Sequence, residues 1–459
     1  MRVELLRAVN SAQQPSINGG LRYLSRFILT LVLITGLLGS VSIAAESEGE
    51  APPSGKALSL KDAYRLSVQS HEDVKIAGND VELARSDIRK SDAAFLPSIT
   101  AEGSFEKFTT NKRASGFLLQ PDNSRILNLN VSQPVFSGGA SWHGRKAAIL
   151  SMKKSREGLK AAGESIMRDT ARAFFSVLKA EKEVEIEQAS LKRSHERKEV
   201  AAARFEVGET TKTDLLRAES EVAGAEAALI TARSSLRNAR NIFRRFVPLA
   251  GELRLKDPSI EADISLNPRG LIRTAYKNRL DLTQSELDRE IATMEVKKAW
   301  SGFLPTVRVD GNYIRRDRNP STSFLLKESI SATAIVSYPL FEGGLRMAEY
   351  NEAKTKLKIE GLRLRSLKRD IVVEVRQAYN DVMEKEAIIK SLKRQKKFAK
   401  ENYKMVFEQF KSGVATNVDV TDANTELLSA DRSLMNARFD LELAVVELSY
   451  AVGTLHNEL

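Results

Sequence analysis

Apolar residues recur at steps of three and four over long stretches of this chain, and only a few short segments alternate with a period of two. Leu427, Ala430, Leu434, Ala437, Leu441, Ala444 and Leu448 follow one another without a break, the spacing of a coiled-coil seam. Moved 205 positions toward the N-terminus, the same register reads Val222, Ala225, Leu229, Ala232, Leu236, Ala239 and Phe243. Alternating alanine with a larger residue lets two helices approach closely. Between Gly139 and about Phe205 the only residues that disfavour a helix are glycines, Gly158 and Gly163 among them, and the matching stretch from Gly344 to Phe410 holds only Gly361. At ~1.5 Å per residue, each predicts a helix approaching ~100 Å. Ile371, Val375, Ala378, Val382, Ile389 and Leu392 keep a narrow apolar stripe along it, a pattern of rods and tubes rather than of compact globules.

The period-two segments lie between these helices. Leu127, Leu129 and Val131 alternate with Asn128, Asn130 and Ser132, and Val307, Val309 and Tyr313 with Arg308, Asp310 and Asn312. Ile330, Ala332, Ala334 and Val336 oppose Ser331, Thr333 and Ser337, with Ile335 as the exception. Each run is about the ~9–11 residues of a tilted membrane-crossing strand. One pair is expected in each half, joined by polar loops at 111–123 and 315–327. Leu129 and Val309 are assigned to the lipid side, Asn130 and Asp310 to the lumen. Trp142 and Trp300 flank the helix-side strand ends, where a membrane interface would favour them.

The two halves repeat one another. Phe95-Leu96-Pro97-Ser98-Ile99 returns as Phe303-Leu304-Pro305-Thr306-Val307, and Val131-Ser132-Gln133-Pro134-Val135-Phe136-Ser137-Gly138-Gly139 as Val336-Ser337-Tyr338-Pro339-Leu340-Phe341-Glu342-Gly343-Gly344. Phe205, Gly208 and Asp214 return as Phe410, Gly413 and Asp419. A period near 200 marks a duplicated domain, not a short solenoid repeat. The expected organisation is a first repeat over 58–250, a connecting segment over 251–267, a second repeat over 268–453 and a tail over 454–459. Each repeat runs helix, strand pair, very long helix, turn, long helix. Four strands cannot close a barrel, and an open edge in lipid leaves backbone groups unpaired at several kcal/mol each. Oligomerisation follows: two chains supply eight strands and three supply twelve, with no choice between them at this point.

Composition narrows the class. The 459 residues are 42% hydrophobic and 29% charged, with no cysteine, which removes disulfides, thiolate metal sites, cysteine nucleophiles and lipid attachment through an N-terminal Cys. A net charge of +11 invites a nucleic-acid reading, but bases and acids alternate along helices, as at Arg363, Arg365, Lys368, Arg369, Asp370 and Glu374, and read as solvated faces. Arg22 and Arg26 precede the apolar run 27–38, and Ser42-Ile43-Ala44-Ala45 offers small residues for cleavage, so residues 1–45 are expected to be a secretory signal and 46–57 a linker. His71, His143, His195 and His456 are scattered, without metal spacing, and no phosphate loop occurs. No catalytic constellation, cofactor or metal site is expected.

These blocks resemble the TolC-like outer-membrane efflux proteins, from about Leu58 to Gly453, most specifically in Tyr338-Pro339-Leu340-Phe341-Glu342-Gly343-Gly344 and in the run Gly413-Val414-Ala415-Thr416-Asn417-Val418-Asp419-Val420-Thr421-Asp422-Ala423. The resemblance implies a mainly α protein with transmembrane β-strands: a homotrimer with a twelve-stranded β-barrel in outer-membrane lipid and an α-helical barrel in the periplasm. It further implies a duct for small-molecule efflux or type I protein secretion, with a periplasmic adaptor and an inner-membrane transporter as partners. Gly208 and Gly413 end the long helices and mark the adaptor-docking tips. Asp419 and Asp422, with Thr213 and Asp214, are the candidate periplasmic gate, against the simpler reading that these aspartates cap helices. In secretion-type relatives a Tyr and an Arg latch onto a Thr-Asp pair. Here Thr213 and Asp214 match the acceptors, but Phe410 and Ala415 occupy the donor positions, with Lys212 and Lys411 as substitutes to consider. The rival reading is a periplasmic coiled-coil scaffold on an uncleaved N-terminal anchor.

Overall fold

The computed structural model describes residues 57–110, 112–114, 117–249, 253–258, 267–321 and 326–458. The expected signal segment and most of the linker lie outside the described residues. The first half contains α1 (Leu60–Ser70), α2 (Glu72–Ala93), β1 (Ser98–Lys107), β2 (Lys112–Ala114), β3 (Phe117–Gln120), β4 (Asn123–Ser137), α3 (Ala140–Glu206) and α4 (Lys212–Phe246). The second contains α5 (Pro268–Asn278), α6 (Leu280–Ser301), β5 (Thr306–Asn319), β6 (Glu328–Ser337), α7 (Leu345–Lys411) and α8 (Asn417–Val452), then a 3-10 turn at Leu455–Glu458. Matching helices agree in length almost residue for residue: 11 and 11, 22 and 22, 67 and 67, 35 and 36. At ~1.5 Å per residue α3 and α7 each run ~100 Å.

Both long helices start at a pair of glycines in the left-handed region, Gly138 and Gly139 at φ 62° and 91° and Gly343 and Gly344 at φ 60° and 87°. A left-handed residue reverses the chain at the strand end without a Cβ clash. Within α7 the expected stripe is inaccessible to solvent at Ile371, Val375 and Val382 and half-buried at Ala378, Ile389 and Leu392. On the α8 seam Leu427, Ala430, Ala437 and Ala444 are buried, Leu427 and Ala430 in one cluster with Ala399, Tyr403 and Phe410 of α7.

The main core forms a knot part-way along α3. Met167, Phe174, Phe175 and Val177 there meet Tyr64 of α1, Phe243 of α4 and Phe439 and Val446 of α8, and the Phe174 and Phe243 rings pack edge to face at 6.0 Å. The segment 253–258 closes it: Leu58 N–H donates to the Arg254 carbonyl and Lys256 N–H to that of Leu58, both at 2.9 Å. A second knot joins Leu271 and Ala275 of α5 to Ile371 and Val375 of α7 and Val452 of α8. Among the described residues no helix is long and apolar enough to cross a membrane.

The four long strands form one antiparallel sheet in the order β1-β4-β5-β6, so each half supplies a hairpin and β4 pairs with β5 across the duplication. Two details depart from the expected loops. The β5 strand continues to Asn319, because Arg315, Arg316, Asp317 and Arg318 keep pairing with Leu127 back to Ser124 although their polarity hid the alternation. Within the expected polar loop 111–123, β2 and β3 form a further small hairpin, too short to show a period.

Candidate channel elements: the strand faces and the hairpin tips

Direct cross-strand partners share a face of a sheet, so the register sorts its side chains. One face carries the rows Ile99, Val131, Gly311, Ala332 and Ala101, Leu129, Tyr313, Ile330. The other carries Thr100, Asn130, Asn312, Ser331 and Ser98, Ser132, Asp310, Thr333. Leu129 and Val309 therefore stand on the apolar face, and Asn130 and Asp310 on the polar one. Ser132 Oγ donates to Asp310 Oδ1 at 2.6 Å and Arg308 Nε to Oδ2 at 3.0 Å, fixing a carboxylate on that face. All ten residues of β1 are exposed, and the outer edges of β1 and β6 have no strand partner among the described residues.

At the other end of the long helices the two tips are built alike. Gly208 and Gly413 both have φ 80°. Gly208 N–H donates to the Phe205 carbonyl and Glu209 N–H to that of Arg204; Gly413 and Val414 do the same to Phe410 and Gln409. This 5→2 and 6→1 pairing is a Schellman C-cap, which ends a helix by satisfying its last carbonyls. Capping boxes then open α4 and α8. Thr211 Oγ1 accepts from Asp214 N at 3.2 Å while Asp214 Oδ2 accepts from Thr211 N at 3.3 Å; Thr416 and Asp419 repeat this at 3.3 and 2.8 Å. Hydrogen bonds from the threonine hydroxyls and N–H groups hold the Asp214 and Asp419 carboxyls below the usual carboxylate range.

The candidate gate residues therefore divide. Asp214 and Asp419 cap their helices. Thr213 is exposed and is not the capping threonine, a place that Thr211 takes. Asp422 is exposed, one turn beyond Asp419, with no side-chain partner among the described residues. Neither substitute lysine spans two tips: Lys212 lies over the Phe205 ring at 5.5 Å, and Lys411 over Phe407 at 4.7 Å with Glu408 at 3.0 Å. Phe410, in the latch-donor position, is buried, and Arg204 lies 5.4 Å over its ring and donates Nη1 to its carbonyl at 3.1 Å. That arginine ties the α3 tip to the α7 tip. Sequence reasoning missed it, since one arginine among the many on α3 gives no local signal.

A second feature it missed lies just above the tips. Arg197 is 2% exposed and pairs with Glu221 of α4 at 2.9 Å, and Thr421 of α8 donates to the other oxygen of Glu221 at 2.5 Å. Nearby, Arg193 Nε donates to Asn424 at 2.8 Å and its guanidinium lies over Tyr403 of α7. Four helices from both halves meet on these polar groups. Breaking a buried charge pair by removing one partner costs several kcal/mol, so the cluster fixes the register between the two hairpins. Among the described residues no group of three or more His, Cys, Asp or Glu side chains could hold a metal ion.

A membrane-length sheet with one apolar and one polar face, joined to ~100 Å coiled-coil hairpins, defines an envelope-spanning channel class. The Outer membrane efflux protein family model matches residues 63–246 and 271–454, one match on each repeat. Outer membrane protein TolC of Vibrio cholerae is 24% identical over 93% of this chain and 95% of its own. Alkaline protease secretion protein AprF of Pseudomonas aeruginosa is 24% identical over 87% and 85%. The Campylobacter jejuni CmeC outer membrane channel superposes with a TM-score of 0.73 at 17% identity, over 86% of each chain. This chain belongs to the outer membrane efflux protein family, and it is an outer-membrane export channel component.

Proposed function

We propose that three copies of this chain close a twelve-stranded barrel and a continuous helical tunnel, forming a passive, non-enzymatic exit duct. A periplasmic adaptor would dock at the tips around Gly208 and Gly413 and link it to an inner-membrane transporter. The observation that carries closure by copies is a contrast between matching positions. Gly138 is packed under Ser301 and Leu304 of the other half, whereas nothing approaches Gly343. Phe136 is 46% exposed and its counterpart Phe341 87%. Ile291 packs against α3 beside Ala147 and Leu150, while its counterpart Leu83 is 64% exposed. In each pair the member facing the other half is the more covered one and the outward member is barer, as if awaiting the same partner from another copy. Both free edges continue the antiparallel alternation, so β6 of one copy can pair with β1 of the next. Two copies would make an eight-stranded barrel, whose interior side chains fill; twelve strands leave an open duct.

At the periplasmic mouth Asp419 and Asp422 would recur three times around one axis. Like charges that close raise one another's pKa and favour a bound cation. Since Asp419 also serves as a cap, Asp422 is the cleaner probe. Purified channels in planar bilayers should be cation-selective, and Asp422→Asn should lose most of that preference and tolerate trivalent cations. Unchanged selectivity would place the constriction elsewhere. Detergent-extracted protein should cross-link into a three-chain ladder, and a stable monomer or dimer would overturn the trimer.

A further inference from the structure

Toward the end away from the helices, the apolar face of the sheet changes character. Beyond the row Ala101, Leu129, Tyr313, Ile330 comes Gly103, Leu127, Arg315, Glu328, and beyond that Phe105, Arg125, Asp317. These rows border a groove of about 760 Å³ lined by Gly103, Phe105, Leu127, Arg125, Arg315 and Asp317 among others. Gly103 leaves it open, since a Cβ there would meet nothing within 4 Å. Phe105 and Leu127 are 59% and 43% exposed. The Arg125 guanidinium lies 5.9 Å over the Phe105 ring and has no carboxylate partner among the described residues. Arg315 pairs with Asp317 at 3.3 Å and Glu328 at 3.5 Å, and Lys327 takes the other oxygen of Asp317 at 2.9 Å. Exposed pairs of this kind are weak, and Lys107 lies on the same edge. Four cations against two carboxylates leave the rim positive.

We propose that this groove seats a phosphorylated membrane lipid: the phosphate bridges Arg125 and Arg315, and an acyl chain lies over Gly103, Phe105 and Leu127. The proposal rests on the apolar face meeting lipid. Guanidinium forks match phosphate oxygens, and an apolar floor continuous with the Leu129 row suits a chain whose headgroup sits at the membrane boundary. A soluble anion would gain nothing from that floor. The positive rim argues for an anionic headgroup over a zwitterionic one.

The test uses the purified full-length oligomer in maltoside detergent, titrated with diphosphorylated lipid A and followed by native mass spectrometry. Arg125→Gln with Arg315→Gln should weaken binding about twenty-five-fold, from roughly fivefold per cation at a membrane surface. Arg125→Lys with Arg315→Lys should stay much closer to the parent. Dephosphorylated lipid A should bind parent and double variant equally weakly, and millimolar inorganic phosphate should not displace the lipid. Gly103→Phe, which fills the groove and leaves the charges alone, should lose binding too and guards against misfolding of the arginine variants. Equal affinity of parent and double variant, indifference to the lipid phosphates, or displacement by inorganic phosphate would each overturn the site. A separate arm reports on the face itself: the chain holds no cysteine, so Leu127→Cys carries a single bimane label. Quenching by brominated phosphatidylcholine supports a lipid-facing position. Its absence would remove both the face assignment and the lipid site, whereas quenching with no phosphate discrimination sinks the lipid site alone.

Discussion

At Gly413 the backbone sits at φ 80° with ordinary space for a side chain, the nearest group being Arg204 Nη2 at 3.5 Å from a built Cβ. A substitution there is therefore limited by backbone conformation: an L-residue in the left-handed region costs about 1–2 kcal/mol, more when β-branched. Gly208→Val and Gly413→Val should reshape the tips, lowering export while oligomer yield in the outer membrane holds. Unchanged export in both would remove the tips as the docking site. Glu442 behaves differently. It is 6% exposed, and burial pushes its carboxyl up to about 7, against the pull of Arg438 at 3.3 Å. Between the ordinary value of 4.5 and about 7 the folded chain holds a proton that the unfolded chain lacks. Stability attributable to this group is therefore greatest below that window and lost as pH rises through it, by at most about 3 kcal/mol. Glu442→Gln should raise the melting temperature at pH 8 and change it little at pH 4; equal melting at pH 8 would show that the charge is not a burden.

Among the elements, the long helices and strands were legible because each repeats one period many times. The α3 and α7 helices run 67 residues with glycine as their only weak point, and the strand alternation placed Leu129 and Asn130 on opposite faces before any register was known. The β2–β3 hairpin and the far end of β5 were not legible: three- and four-residue strands show no period, and Arg315 to Arg318 read as a loop. If the apolar face meets lipid, Leu129→Arg near the midplane should cost about 2–4 kcal/mol in assembly and Asn130→Arg far less. Equal yield of assembled oligomer from the two variants would mean the faces are misassigned. The capping role of Asp419 was legible as an alternative, and the capping box supplies it, yet the same pattern could not show that Thr211 rather than Thr213 is the cap of α4.

For the whole molecule, the duplication offers an internal template for the contact between copies. Leu129 of β4 faces Tyr313 of β5 directly; their counterparts are Ala334 on β6 and Phe105 on β1, both on free edges. In the cysteine-free background, Ala334→Cys with Phe105→Cys should give disulfide-linked dimers and trimers on oxidation, and either single variant should give no trimer. Only intrachain bridging, or none, would refute this register. By itself the sequence determined the repeat, the lengths of the rods, the alternating strands and the glycine ends of the helices, because all of these follow from local periodicity and backbone sterics. Only the tertiary structure decided that β4 pairs with β5 across the halves, that Arg204 and the buried Arg197–Glu221 pair tie the two hairpins together, and that of the three candidate gate aspartates only Asp422 lacks a side-chain partner among the described residues. Those facts depend on which residues, some 200 positions apart, the folded chain brings within hydrogen-bonding distance, and no local pattern encodes that.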